Sequence, residues 1–463
     1  MQDWIPDLST SGKPRYLAIA DCVAADIKTG TLAAGDRLPP QRKLAERMGI
    51  DFTTVARGYA EAQRRGLIES RTGQGTFVAP ASRGHSSVTQ VSVFRVDDID
   101  LSMNLPPEPD EPELIARMRA GWEAAASDMV PSLRYRSFGG SVTDKEAATL
   151  WLGRRGLSPA SEDLYITPGA HSALHGILSA LAKPGQTVLC EALTFPGLRS
   201  IAAQLGVCLQ GLPMDAEGID PEALSEVCSK LSPPALYLNP TLQNPTGLTI
   251  SRRRREEIVA IARRWEVAII EDDAYGFIPI ESPPPIASMA PDLTWYVASL
   301  SKSLGAGLRV AFVIAPQSRS SWAFASVVRS TSVMASPVTV ALANRWIADG
   351  TADAILGFVR EESRERQKIA STILAPYSVN ADPAGFNIWL SMPEGWTRSA
   401  FAAHMRSSGI GVVASDAFIV AGTAPEAVRI CLGGPASRPT VRRALEYAAH
   451  ALEGLPASAS SFL

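Results

Sequence analysis

Lys302 lies in the run Ser299-Leu-Ser-Lys-Ser-Leu-Gly-Ala-Gly-Leu-Arg309, downstream of Asn244-Pro-Thr-Gly247 and Glu271-Asp-Asp-Ala-Tyr275. A lysine amine forms and exchanges an imine with an aldehyde, and Lys302 is the only lysine between Lys230 and Lys368. Asp272 follows the apolar run Val267 to Ile270, where a carboxylate is costly unless it meets a cation. Tyr275 and Asn244 can donate to a phenolate oxygen. Ser299, Ser301 and Arg309 can clasp a phosphate. Pro168-Gly169-Ala170-His171 opens a helical pattern, Ala170 to Lys183, whose first N–H groups and positive dipole end suit the same anion. Taken singly these are a surface lysine, a turn and a core tyrosine. Together, and in this order, they are what pyridoxal 5'-phosphate (PLP) requires.

The elements that would position these groups are legible in the hydrophobic period. Helical stretches over Leu114 to Ser127, Thr143 to Gly156, Ala170 to Lys183 and Ser251 to Trp265 alternate with short apolar strands. The strands are Thr187 to Cys190, Ala235 to Leu238, Val267 to Glu271, Thr294 to Ala298 and Val310 to Ile314. That alternation predicts an α/β domain with a largely parallel sheet. The first 80 residues differ: helices over Arg15 to Thr29, Gln41 to Met48 and from Asp51 or Thr53 to Arg65 precede a hairpin, Gly66 to Ser70 and Thr76 to Val78. This is the order of a winged helix-turn-helix. The boundaries read as 1–79 for that domain, 80–97 for a Ser-, Gly- and Pro-containing linker, 98–455 for the α/β domain and 456–463 for a tail.

At 463 residues, with 46% hydrophobic and 20% charged content, the chain exceeds one ordinary core. Its net charge of −3 is unevenly spread, because residues 37–71 carry 8 Lys/Arg against 4 Asp/Glu, a modest basic footprint at the DNA-reading end. Five cysteines, none in a CxxC, suggest neither a disulfide framework nor a metal site. No leader or apolar span is legible, so a cytoplasmic protein is expected.

Gly35-Asp-Arg-Leu-Pro-Pro-Gln-Arg-Lys-Leu-Ala, Gly49, Thr53-Thr-Val, Gly66-Leu-Ile and Gly73-Gln-Gly-Thr-Phe-Val resemble the GntR family of winged helix-turn-helix regulators. The remaining motifs resemble fold-type I aminotransferases, and the combination resembles the MocR subfamily. The resemblance implies a double-stranded DNA operator: the helix from Thr53 enters the major groove, Thr53 and Thr54 touch phosphate or base edges, Arg42 the backbone, and the Gly75 wing the adjacent groove. Phe52 stands where many relatives carry an arginine, which leaves Arg57 as the nearest alternative reader of a guanine. It further implies Lys302 as the Schiff-base lysine and Asp272 as partner of the pyridinium nitrogen, with Asp273 a solvent or loop group. Gly169, Ala170, His171, Ser299, Ser301 and Arg309 would serve the phosphate, although Ala170 replaces a common hydroxyl. Phe195 would stack on the ring, Asn244 and Tyr275 would serve its oxygen, and Arg429 would bind an effector carboxylate. Tyr135 would reach the phosphate of a second subunit, making a homodimer. The resemblance as a whole implies a PLP-dependent regulator that senses a small amino compound, and Asp100-Leu-Ser-Met-Asn-Leu-Pro-Pro107 resembles MocR branches that include the ectoine-utilisation regulators. A working aminotransferase with an accessory DNA-binding domain is the alternative, and a constitutive DNA-binding protein with a structural PLP a third.

Overall fold

The computed structural model describes residues 4–6, 15–33, 35–64, 67–71, 75–78, 99–127, 129–316, 322–420 and 422–454. The expected linker and tail lie outside the described residues. The chain divides into two compact units, 1–93 and 94–463.

In the first unit, α1 (Arg15–Thr29), α2 (Gln41–Met48) and α3 (Phe52–Arg64) precede an antiparallel pair, β1 (Ile68–Arg71) and β2 (Gly75–Val78). The apolar periods of the three helices meet in one core, with Ile19, Val23, Leu44, Val55 and Tyr59 buried together. Gly49 ends α2 in the left-handed conformation, φ +62°, and its N–H returns to the last turn. Glycine adopts that conformation without steric cost, so α2 gives way to α3 across three residues. Asp51 is the cap of α3: its Oδ1 accepts from the Thr53 backbone N–H at 2.7 Å and from the Thr53 hydroxyl. Of the two capping candidates in the sequence, Thr53 thus lies inside the helix.

The second unit is built on a seven-stranded sheet: β3 (Leu164–Thr167), β4 (Thr187–Glu191), β5 (Cys208–Leu212), β6 (Ala235–Leu238), β7 (Ala268–Asp272), β8 (Thr294–Ser299) and β9 (Ala311–Ile314). The spatial order is β3-β9-β8-β7-β6-β4-β5. Pairings from β8 to β5 are parallel, whereas β9 is antiparallel to both neighbours. The expected largely parallel sheet therefore contains one reversed strand. The reason is local, because the segment joining β8 to β9 is too short for a parallel crossover, which needs a dozen or more residues and commonly a helix. Lys302 sits in that short reversal. The helix Ala170–Leu181 packs on one face of the sheet. Farther along, Asn387–Ser391 and Ala427–Cys431 pair antiparallel at the centre of a four-stranded sheet. It is covered by helices Arg398–Ser407 and Arg438–Glu453. Ile99–Asp100 joins this half by pairing with Ile410–Gly411.

Candidate functional site

Parallel strands end at one edge of a sheet, the usual place for a ligand in an open α/β fold. Glu191, Asp272 and Ser299 are the last residues of β4, β7 and β8, and Asn239 follows β6 directly. Lys302 is three residues beyond Ser299, and its Nζ donates to the backbone oxygen of Asn104. Burial lowers its pKa to about 8, and the nearby Arg429 and Arg309 cations act in the same direction. An amine so placed is far more often neutral, hence nucleophilic, than one in water.

Asp272 is buried, and its Oδ2 accepts from the Tyr237 hydroxyl at 2.8 Å. Burial pushes this carboxyl up to about 6, with Asp273 adding to the shift and the Tyr237 hydrogen bond and Lys302 opposing it. Its Oδ1 is buried without a partner. Asp273, expected as a solvent or loop group, is instead fully buried. Its Oδ2 accepts from Arg155 Nε at 3.0 Å and from the Tyr296 hydroxyl at 2.8 Å. That correction has a physical cause: the arginine that neutralises Asp273 comes from the turn after helix Val142–Leu152, distant in sequence. Asp273 is thereby balanced by a cation, whereas Asp272 has only a neutral phenol.

A chain of amides ties the edge together. Asn239 Nδ2 donates to the Asp272 backbone oxygen at 2.7 Å, and Asn239 Oδ1 accepts the Asn244 N–H at 2.8 Å. Asn244 Oδ1 accepts from Arg429 Nη1 at 2.8 Å, while Arg429 Nη2 donates to the Ser102 backbone oxygen at 2.6 Å. Arg429 is buried with Nε unpartnered and lies over the Phe418 ring. Tyr275, on the loop after β7, has its hydroxyl against Asn104 Nδ2, and Asn104 Oδ1 accepts from Asn387 Nδ2 at 3.2 Å.

The phosphate-binding candidates gather at the same edge. Gly169 caps the helix Ala170–Leu181 at φ +83°, and a Cβ there would stand 3.0 Å from Arg309 Nη2. The backbone and the guanidinium thus approach as only glycine permits. Ser301 N–H donates to Ser299 Oγ at 3.2 Å. Partial burial, then Arg309 and Lys302, hold the His171 imidazole below its ordinary pKa. The His171 ring meets Phe195 edge-on at 5.3 Å. Tyr135 is 85% exposed, on the surface of its own unit.

Sequence reading missed Asn104, Tyr237, Asn239 and Asn387. Asn239-Pro240 at the end of an apolar strand was a signal of the same kind as Asp272. Nothing local marks Asn104 or Asn387. Glu191 was also unassigned: fully buried, pushed up to about 8 by burial, it accepts the Asn239 N–H at 3.2 Å.

The donor set fits PLP. An unpartnered buried carboxylate oxygen suits a pyridinium N–H⁺, Lys302 supplies the amine, and the Gly169 cap with Arg309 suits a phosphate. Among the described residues no three His, Cys, Asp or Glu gather as a metal site, and no helix is long and apolar enough to cross a membrane.

On the first unit, Arg42, Thr53 and Arg57 are exposed and Thr54 is half-buried. The Arg42 guanidinium lies 5.8 Å from the Phe52 ring centre and that of Arg57 4.2 Å from the Tyr16 ring centre. Gly75 begins β2, paired with Arg71.

Comparison with known proteins gives two family matches: bacterial regulatory proteins of the gntR family over residues 15–78, and aminotransferase class I and II over residues 96–447. The HTH-type transcriptional regulator YdeF of Bacillus subtilis is 27% identical over 433 residues, 93% of each chain. The vitamin B6 salvage pathway transcriptional repressor PtsJ of Salmonella typhimurium is 27% identical over 409 residues, 86% of this chain and 90% of that one. An archaeal alanine:glyoxylate aminotransferase structure superposes with a TM-score of 0.70 at 24% identity, covering 77% of this chain and 91% of its own, a likeness of fold.

Proposed function

Because the chain belongs to the aminotransferase class I and II family and carries a gntR-type domain ahead of it, the MocR composition, we propose that it is a PLP-dependent transcriptional regulator whose operator binding responds to a small amino compound. The observation that carries the reading is a partly buried Lys302 and a buried, half-satisfied Asp272 on one chain with a helix-turn-helix. PLP is the cofactor; when bound, its aldehyde takes up a primary amine as an imine and its protonated ring withdraws electrons from it.

The chain's own groups divide the work. Asp272 would hold the ring nitrogen through the oxygen left free by Tyr237, and Tyr275 and Asn244 would serve the ring oxygen. Gly169, the N–H groups of Ala170 and His171, Ser299, Ser301 and Arg309 would take the phosphate, and Phe195 would cover the ring. Lys302, neutral more readily than in water, would be the amine that holds the cofactor aldehyde. Arg429 pairs with the effector carboxylate, exchanging the Ser102 carbonyl for it. A ligand shifts a regulator only by binding its two states unequally, and engagement at Lys302 and Arg429 supplies a difference. Domains of 1–79 and 98–455 joined by residues 80–97, and a homodimer in which Tyr135 serves the partner's phosphate, complete the reading. A diamino acid of the 2,4-diaminobutyrate kind heads the amines to be tested.

The second reading, a working aminotransferase, is favoured by the same cofactor groups, Lys302, Asp272, Asn244, Tyr275 and Arg309 among them. Operator binding by the wild type and Lys302→Ala, each with and without amine, decides between them when run beside transamination of a 2-oxo acid. An amine response that disappears with Lys302, without sustained turnover, is the expected result. Turnover at enzyme-like rates with no effect on DNA would replace the regulator by the enzyme.

A further inference from the structure

We propose that Phe52 reads the C5-methyl of a thymine in the major groove, and is the base-specifying side chain of α3. The inference rests on the reading of the first unit as an operator-binding domain and names the base it selects.

The first residues of the second helix in a helix-turn-helix reach the base edges, and α3 begins at Phe52. Two of the other candidate readers, Thr53 and Arg57, are engaged elsewhere, and Thr54 is half-buried. The Thr53 hydroxyl has one hydrogen, and it is given to Asp51 Oδ1, which the Thr53 backbone N–H also occupies. The two donors hold the Asp51 carboxylate below its ordinary pKa, so this cap persists at neutral pH. Arg57 lies with its guanidinium 4.2 Å from the centre of the Tyr16 ring on α1, held along the helix rather than beyond its end.

Phe52 itself is 42% exposed. It lines a cleft with α2 and the turn after it, where Arg42, Glu46, Ile50 and Asp51 are its neighbours. The ring offers neither donor nor acceptor, so hydrogen bonds to guanine, adenine or cytosine are closed to it. The apolar feature in the major groove is the thymine methyl. Arg42, over the Phe52 ring, sets a cation beside this apolar spot, with the carboxylates of Glu46 and Asp51 in the same cleft. Phosphate contact then positions and Phe52 specifies, the usual division of labour at such an interface.

The test uses the full-length protein. Duplexes are selected from a random pool by the wild type, and each thymine of the selected site is then replaced singly by deoxyuridine, which lacks only the methyl. At one thymine in each half-site, deoxyuridine should weaken wild-type binding about three- to five-fold, the worth of one buried methyl group. Phe52→Ala should bind thymine and deoxyuridine there equally. Phe52→Arg should move selection at that position from thymine to guanine. If no thymine methyl matters to the wild type, or if Phe52→Ala senses it equally, the assignment is overturned while DNA binding stands. Absence of any sequence-selective binding overturns the operator-binding reading and this inference with it.

Discussion

Asp272 and Arg429 are buried in the aminotransferase domain, with Lys302 largely so, whereas Arg42, Lys43 and Arg57 stand exposed on the DNA-binding domain. The buried set has shifted ionisation and keeps unpartnered atoms, Asp272 Oδ1 and Arg429 Nε among them. Of the exposed set, Arg42 and Arg57 lie against aromatic rings. Burial amplifies every electrostatic contact and every missing partner, while exposed charge is screened and roughly additive. A small ligand of fixed shape calls for the first arrangement and a polyanion for the second. Mutational effects should therefore be all-or-none in one domain and graded in the other.

The largest effect is expected at Lys302. The purified protein should be yellow, and Lys302→Ala and Lys302→His should abolish that visible absorption and the borohydride-trapped cofactor. A variant that still yields a reducible protein imine would move the reactive amine elsewhere and break the buried half of the contrast at its centre.

Asp272 and Asp273 sharpen it within one strand end. Asp273→Asn removes one partner of a buried ion pair, Arg155 at 3.0 Å, which costs on the order of 3–5 kcal/mol and should appear as a lower Tm. Asp272→Asn removes no protein cation, so the melting temperature of the cofactor-free protein should hold while PLP is lost on dialysis. Equal PLP loss from both variants, measured below the Tm of each, would erase the distinction between a ligand carboxylate and a structural one.

This pair also marks how far the sequence could be read. Lys302, Asp272, Asn244 and Tyr275 were legible because each follows a recognisable apolar strand or turn at a fixed spacing, and the strand ends bring them to one edge. Asp273, one residue away in the same run, was misread because Arg155 arrives from another part of the chain. Asn104 and Asn387 were invisible for the same reason: their roles exist only once Tyr275, Lys302 and the C-terminal sheet have converged. In the first unit the helices and hairpin were legible from period and capping residues. Which side chains stay available for DNA was not, since it depends on the Thr53–Asp51 bonds and on Arg57 meeting Tyr16.

The pH dependence of cofactor loading should be bounded on both sides by burial. Lys302 is lowered to about 8, so its reactive neutral fraction grows about tenfold per pH unit below that value and levels off above it. Asp272 is raised to about 6; below that it gains a proton and loses the charge that holds a cationic ring nitrogen. Loading rates of the cofactor-free protein measured by absorbance should therefore rise up to about pH 8 and fall away below about pH 6. A rate still climbing from pH 8 to 10 would mean that Lys302 is solvated like an ordinary lysine.

The smallest effect belongs to the exposed half. If Arg42 meets a phosphate, Arg42→Ala should weaken binding to every duplex by a similar factor and reduce the slope of log K against log salt by about one. Its guanidinium is exposed and rests on Phe52, so its loss leaves no buried partner uncompensated and the fold should be unaffected. Phe52→Ala, in contrast, should leave the salt slope alone and change only the preference among bases, because a phenyl ring releases no counterion. Salt titrations of the two variants on the selected operator and on an unrelated duplex separate these outcomes. A change in base preference without a change in slope for Arg42→Ala would make Arg42 a base reader, and would place sequence reading on a charge rather than on the apolar ring beside it.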